Sequence, residues 1–188
     1  MRKVFFASGI GNPSVFMSRD FNIKGKSFST PICYLIDENI EAGDDALVVI
    51  IGEASTLIKE EINGILSAHR ASGEIVEISV NTEREEQDSL SFSEGMKAVS
   101  DLICDGDVIY ADLTYGVRGY FLAMVVGLHY AATAGRDVRI ASVVCGQEYG
   151  DGVDLIGITS LMHLLGIVSK TKAGDKKKMD KFLGFLIG

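Results

Sequence analysis

The chain has 188 residues, 47% of them hydrophobic and 23% charged, enough for one compact domain with a full core. Its net charge of −8 argues against a broad basic face for duplex nucleic acid, yet leaves room for a small anion in a local pocket. No apolar run reaches the roughly 18 residues of a membrane span, and Met1-Arg2-Lys3 leads into a strand-like run rather than a signal peptide, so a cytoplasmic protein off the membrane is expected.

Lys3-Val-Phe-Phe-Ala7 reads as a first strand, running into Ser8-Gly9-Ile10-Gly11-Asn12-Pro13. Two close glycines after a strand resemble part of a dinucleotide-binding loop, but Ser14 stands where a third glycine belongs. The segment reads either as a plain turn or as a loop whose backbone can meet an anion. Phe16 to Lys26 is mixed, an irregular excursion or a small hairpin, and Pro31 suits the first turn of a short helix ending near Ile40. Ala46-Leu-Val-Val-Ile-Ile51 is the clearest buried strand, with Gly52 to Thr56 as its turn and a helix onward through Ala71. Ser55 or Thr56 fits a helix cap there.

Glu74 to Val80 alternates as a strand near a sheet edge would, and Asn81 to Asp88 reads as a solvated acidic loop. Ser91 to Ile103 is a helix that feeds the strand Val108-Ile-Tyr-Ala111. The polar turn Asp112-Leu-Thr-Tyr-Gly-Val-Arg118 follows, then an apolar run from Gly119 to Ala134 that reads as a helix buried most of the way round. Thr114 can offer a hydroxyl, Gly116 can let a ligand approach the backbone, and Arg118 brings a planar cation to the helix start, a set that suits a phosphate. The competing reading is structural: Thr114 caps the helix and Arg118 pairs with Asp112.

Val138 to Val144 is a further strand, Cys145 to Gly152 its loop, and Leu155 to Val168 partly helical. Lys170 to Lys181 is a basic run, read as a solvated face, before a last apolar turn. Strands alternating with helices predict an α/β fold: a Rossmann-like, mostly parallel sheet with helices on both faces, in one domain spanning residues 1–188 with 170–188 as its tail. The turns after the first, second and fourth strands and the loop after the fifth then share one rim.

Cys33, Cys104 and Cys145 lack metal-ligand spacing and fit reduced thiols. His69, His129 and His163 fall in helical stretches with nothing nearby to complete a coordination set, so neither a metal nor another cofactor is expected. No nucleophile elbow and no Walker loop occurs, nor an Arg followed four to six residues later by His.

The run Tyr110-Ala-Asp-Leu-Thr-Tyr-Gly-Val-Arg118 resembles the Asp-hydrophobic-Thr-His-Gly-Phe-Arg signature of CRISPR-associated Rossmann-fold (CARF) proteins. The flanking order agrees along essentially the whole chain: a first strand into a small-residue loop, a Thr-containing helix, Leu47 to Ile51 into Glu53-Ala54-Ser55, and a late Gly146-Gln147-Glu148 segment. One position departs, since Tyr115 stands where that signature has His. The resemblance implies a homodimer that binds a cyclic oligoadenylate, the tetra- or hexa-adenylate, across its two-fold axis in antiviral signalling. It implies that Ser8, Gly9, Ile10, Gly11 and Asn12 contact the ring, and that Thr114, Tyr115, Gly116, Val117 and Arg118 hold phosphate and ribose. Glu53, Ala54, Ser55, Gly146 and Gln147 would line the adenine pockets.

Two functions follow from the resemblance. In a ring nuclease a ribose 2′-hydroxyl attacks its own phosphate in line without a metal, with Arg118 stabilising charge and Ser8 orienting the hydroxyl or phosphate. In a binding-only module (a sensor, a sponge, or the sensory part of a longer effector) the same residues bind without in-line geometry. A third reading, a nicotinamide-dependent enzyme, rests on Gly9 and Gly11 alone.

Overall fold

Chain elements alternate as the residue pattern requires, and the computed structural model describes them over residues 1–8, 21–78, 89–116, 118–133, 137–149 and 152–160. Strand β1 spans Arg2–Ser8, and a small hairpin pairs β2 (Phe21–Ile23) with β3 (Lys26–Phe28). Helix α1 (Pro31–Asn39) has proline in its first turn, where a missing N–H costs nothing. Strand β4 (Asp45–Ile51) leads into α2 (Thr56–His69), and β5 is Ser72–Ile78. Helix α3 (Ser89–Asp101), β6 (Val108–Asp112), α4 (Arg118–Thr133), β7 (Arg139–Tyr149) and β8 (Gly152–Gly157) complete the described elements.

The main sheet has six strands in the order β5-β4-β1-β6-β7-β8. All neighbours are parallel except β7 and β8, which are antiparallel. Alternate side chains of β1 face opposite layers, so both faces must be covered. Phe5 and Ala7 pack with Ile32, Ile36, Ile58 and Ile62 under α1 and α2. Val4 and Phe6 pack with Val99, Met124 and Leu128 under α3 and α4. The α/β class with helices on both faces is therefore the fold of the chain. Phe5 and Tyr110 stack across neighbouring strands at 4.9 Å between centroids. Gly127 brings α3 and α4 together, because an added Cβ would lie 3.0 Å from Val99 Cγ1 and 3.1 Å from the Met96 carbonyl.

Two expectations need correction. Cys145 to Tyr149 is not a loop: it extends β7, with Gly146 opposite Leu155 and Gln147 opposite Asp154 in β8. The reason is tertiary, since the alternating run after Gly152 supplies the antiparallel partner, and Leu155 to Gly157 is accordingly strand rather than helix. Second, α4 is not buried most of the way round: Leu122, Val126 and Tyr130 are 52%, 39% and 51% exposed and stand four residues apart along one face.

The acidic loop 81–88, His163, most of the 155–168 stretch and the tail 170–188 lie outside the described residues. No described helix is long and apolar enough to cross a membrane.

Candidate functional site at the carboxyl ends of the strands

From β1 the chain moves outward through β4 to β5, then returns to lay β6 on the other side of β1. The reversal falls between β1 and β6, and in open α/β sheets ligands bind in the crevice beyond the carboxyl ends of the strands at such a point. Those two ends are Ser8 and Asp112, brought side by side by the pairing of Ala7 with Asp112.

Asp112 is 3% exposed. Its Oδ1 accepts the Thr114 N–H at 2.9 Å and the Thr114 hydroxyl, and the Ile32 N–H from the first turn of α1 adds support. Among the described residues no Lys or Arg forms an ion pair with it. Burial outweighs these hydrogen bonds and pushes the carboxyl's pKa up from 3.8 to about 6. Residue 112 enters the sequence reading as the acidic residue of the run 110–118 and as a possible partner of Arg118, with no site role of its own. Its signal was faint: an acidic residue closing an otherwise apolar strand.

Ser8 is 5% exposed, and its Oγ has no hydrogen-bond partner among the described residues. A buried unsatisfied polar atom costs about 1–3 kcal/mol and calls for an explanation. Ser8 and Asp112 line one crevice with Ala7, Thr30, Ile32, Ile50, Ala54, Ile58 and Tyr115. Its interior is about 10 Å³, on the order of one water molecule. Apart from Ser8, Thr30, Asp112 and the Tyr115 hydroxyl, its lining is apolar. A wider hollow of about 360 Å³ opens against Leu113, Thr114, Tyr115, Gly116, Phe121 and Leu122, where the turn after β6 meets α4.

Thr114 is placed differently from the free hydroxyl that its sequence position offered. It gives its proton to Asp112 and accepts the Gly146 N–H at 2.7 Å. With the Leu113 N–H donating to the Val144 carbonyl at 2.8 Å, this clips the turn after β6 onto β7. Gly146 thus joins the rim through its backbone. Gly116 has φ of +109°, a conformation that favours glycine, so the turn itself requires that residue.

On the β4 side, the Ser55 Oγ accepts the Ile58 N–H at 3.4 Å and caps α2, the structural role its sequence position allowed. The Ala54 N–H donates to Glu77 Oε1 at 2.7 Å, the leading cause of the lowered pKa of Glu77, and Lys59 pairs with the same carboxylate. That anchor holds Ala54 at the crevice, while Glu53 is exposed.

Ser8, Ala54, Thr114, Tyr115, Gly116 and Gly146 are thereby gathered on the same rim. Gly9, Ile10, Gly11, Asn12 and Val117 lie outside the described residues, as do the side chains of Arg118 and Gln147, whose backbones open α4 and continue β7. Among the described residues no group of three or more His, Cys, Asp and Glu side chains is arranged to hold a metal ion. No protein-family model matches the chain, and no curated protein matches it.

Proposed function

We propose that this protein binds a cyclic oligoadenylate, the tetra- or hexa-adenylate, on the rim at the β1–β6 reversal of a homodimer, and cleaves it without a metal. The observation that carries this reading is the coincidence of the CARF-like run 110–118 with the reversal point. Two hollows flank that turn and share Tyr115: the small crevice lined by Ser8 and Asp112, and the 360 Å³ hollow against residues 113–116.

The dimer draws support from α4. Leu122 borders the hollow, and with Val126 and Tyr130 it forms an exposed apolar stripe that begins at the signature turn. A second copy seated on that stripe would bring two equal half-sites together, which suits a ring of repeating phosphates. Cleavage would use the ligand's own 2′-hydroxyl as nucleophile, attacking the adjacent phosphorus as the 5′-oxygen leaves. Arg118 would stabilise the developing charge at the start of α4. A binding-only sensor or sponge is the second reading. It is favoured by Thr114, whose proton is committed to Asp112 rather than offered to a ligand.

The test is incubation of the purified protein with each ring in EDTA, followed by chromatography of the products. Linear products ending in a 2′,3′-cyclic phosphate, lost in Arg118→Ala, establish the nuclease. Tight binding with the ring intact establishes the sensor. Absence of both for either ring removes the oligoadenylate reading.

A further inference from the structure

We infer that Asp112 and Thr114 form a proton-coupled contact for a phosphate: as a phosphate oxygen binds the Thr114 hydroxyl, Asp112 takes up one proton and the hydroxyl turns from acceptor to donor. This rests on the oligoadenylate reading, which supplies the phosphate.

The Thr114 Oγ has four directions, and three are occupied. One is its bond to Cβ. A second accepts the Gly146 N–H at 2.7 Å, and a third lies along its contact with Asp112 Oδ1. The fourth is what Thr114 can offer a ligand in the 360 Å³ hollow that it borders with Tyr115, Gly116 and Phe121. What it offers depends on Asp112. An ionised carboxylate only accepts, so the hydroxyl proton points at Oδ1 and the fourth direction holds a lone pair. A protonated carboxyl can donate to Thr114 instead, which releases the hydroxyl's own proton toward the fourth direction.

A phosphodiester oxygen has no proton to give, so it requires the second arrangement, whereas a sugar hydroxyl could donate to the first. The phosphate's charge acts in the same sense, because a second anion close to a buried carboxylate favours the neutral acid. Burial has already moved Asp112 part of the way, from 3.8 to about 6, while the Thr114 donors and the Ile32 N–H keep it ionised at rest. The titratable groups that face it are Cys33 from α1, Cys145 from β7 and, in the same crevice, the Tyr115 phenol. Burial raises both thiols, with Glu61 of α2 acting further on Cys33, so they stay neutral. From β1, β4 and α2 the crevice receives Ala7, Ser8, Ile50 and Ile58, none of which titrates. Among the described residues no Lys or Arg forms an ion pair with Asp112.

Calorimetric titration with cyclic tetra- and hexa-adenylate, in buffers of different ionisation heat, counts the protons taken up on binding. Wild type at pH 7 should take up at least about half a proton per protomer, and affinity should fall about three- to tenfold per pH unit per protomer from pH 6.5 to 8. Asp112→Asn stays neutral, and its amide can donate to Thr114 as the protonated acid would. It should bind without proton uptake, with an affinity flat across that range and about 10- to 100-fold tighter than wild type at pH 8. Uptake that persists in Asp112→Asn assigns the proton to another group and overturns the inference. A variant weaker than wild type at every pH marks a structural role and overturns it too. Binding by wild type without proton uptake also overturns it, while leaving the oligoadenylate reading standing. If neither ring binds at any pH, that reading falls and the proton-coupled contact falls with it.

Discussion

The two ends of the same parallel strands treat buried polar groups in opposite ways. At the amino ends, every buried charge has a partner. Asp44 accepts from the Met1 ammonium at 3.2 Å, from Lys3 Nζ at 2.5 Å and from the Glu41 N–H at 3.0 Å. Lys3 also reaches the Asn39 carbonyl at 2.6 Å. Asp107 accepts from Arg2 at 2.9 Å and from the Cys104 N–H at 2.7 Å. At the carboxyl ends, Asp112 is as deeply buried but has only neutral donors among the described residues, and the Ser8 Oγ has none. The titration directions record the contrast. Burial alone would raise the pKa of Asp44, but Lys3, the Glu41 N–H and the terminal ammonium outweigh it and hold the carboxyl below its ordinary value. Nothing comparable offsets burial at Asp112. One end is arranged for stability. The other keeps hydrogen-bonding capacity in reserve, which is what a ligand site requires.

The largest expected effect comes from breaking the paired end. Asp44→Ala leaves Lys3, 4% exposed, without its carboxylate. Removing one partner of a buried pair costs about 3–5 kcal/mol, because the remaining charge stays desolvated. Urea unfolding at pH 7 should show that loss. A cost below about 1 kcal/mol would mean that Lys3 reaches water freely, and the contrast between the two ends would shrink accordingly.

The next effect has the opposite sign. A folded-state pKa above the unfolded value means that Asp112 favours folding while protonated and opposes it once ionised. Its contribution is fully present below the unfolded value of 3.8 and is lost as pH rises through about 6. The shift of roughly two units corresponds to a penalty of about 3 kcal/mol at neutral pH. Asp112→Asn should therefore raise stability by up to about 3 kcal/mol at pH 8, and by little at pH 4. For Asp44 the sign reverses, since a lowered folded-state pKa gives stability above the unfolded value that is lost as pH falls. Comparing Asp112→Asn with wild type in chemical unfolding at both pH values checks this. A variant that is less stable at pH 8 would show that the carboxylate is compensated by groups beyond the described residues.

Much of the sheet was legible because its signal is local. Ala46 to Ile51 is a continuous apolar, β-branched run, and such a run reads as a buried strand without knowing its neighbours. The Ser55 cap and the proline-led start of α1 are likewise properties of a few consecutive residues. What escaped was set across the chain. Gly146 and Gln147 look like loop residues until β8 pairs with them, and the exposed stripe of α4 looks like core when read by hydropathy alone. Asp112 is the sharpest case. Its identity was plain, but its burial without a cation depends on α1, β1 and β7 closing around it, and no local pattern encodes that.

The smallest effect tests whether the turn after β6 is held by the chain of hydrogen bonds that runs from Asp112 through Thr114 to Gly146. Thr114 stands between Asp112, to which its hydroxyl donates, and Gly146, whose N–H it accepts. Thr114→Val keeps the branched shape and removes the oxygen, so the Gly146 N–H loses its acceptor and Asp112 loses one of its donors. An orphaned buried donor costs about 1–3 kcal/mol, less where water can reach it, and the partial exposure of Gly146 places this variant at the lower end. Hydrogen exchange at Gly146 separates this from a general loss of stability. In wild type the Gly146 amide should exchange far more slowly than an exposed amide, and in Thr114→Val it should speed up while amides of β1 and β4 follow only the global change. Unchanged protection at Gly146 would mean that pairing along β7 and β8 alone holds the rim. The turn after β6 would then be free to move when a ligand arrives, and the Asp112–Thr114–Gly146 chain would have no part in shaping the crevice.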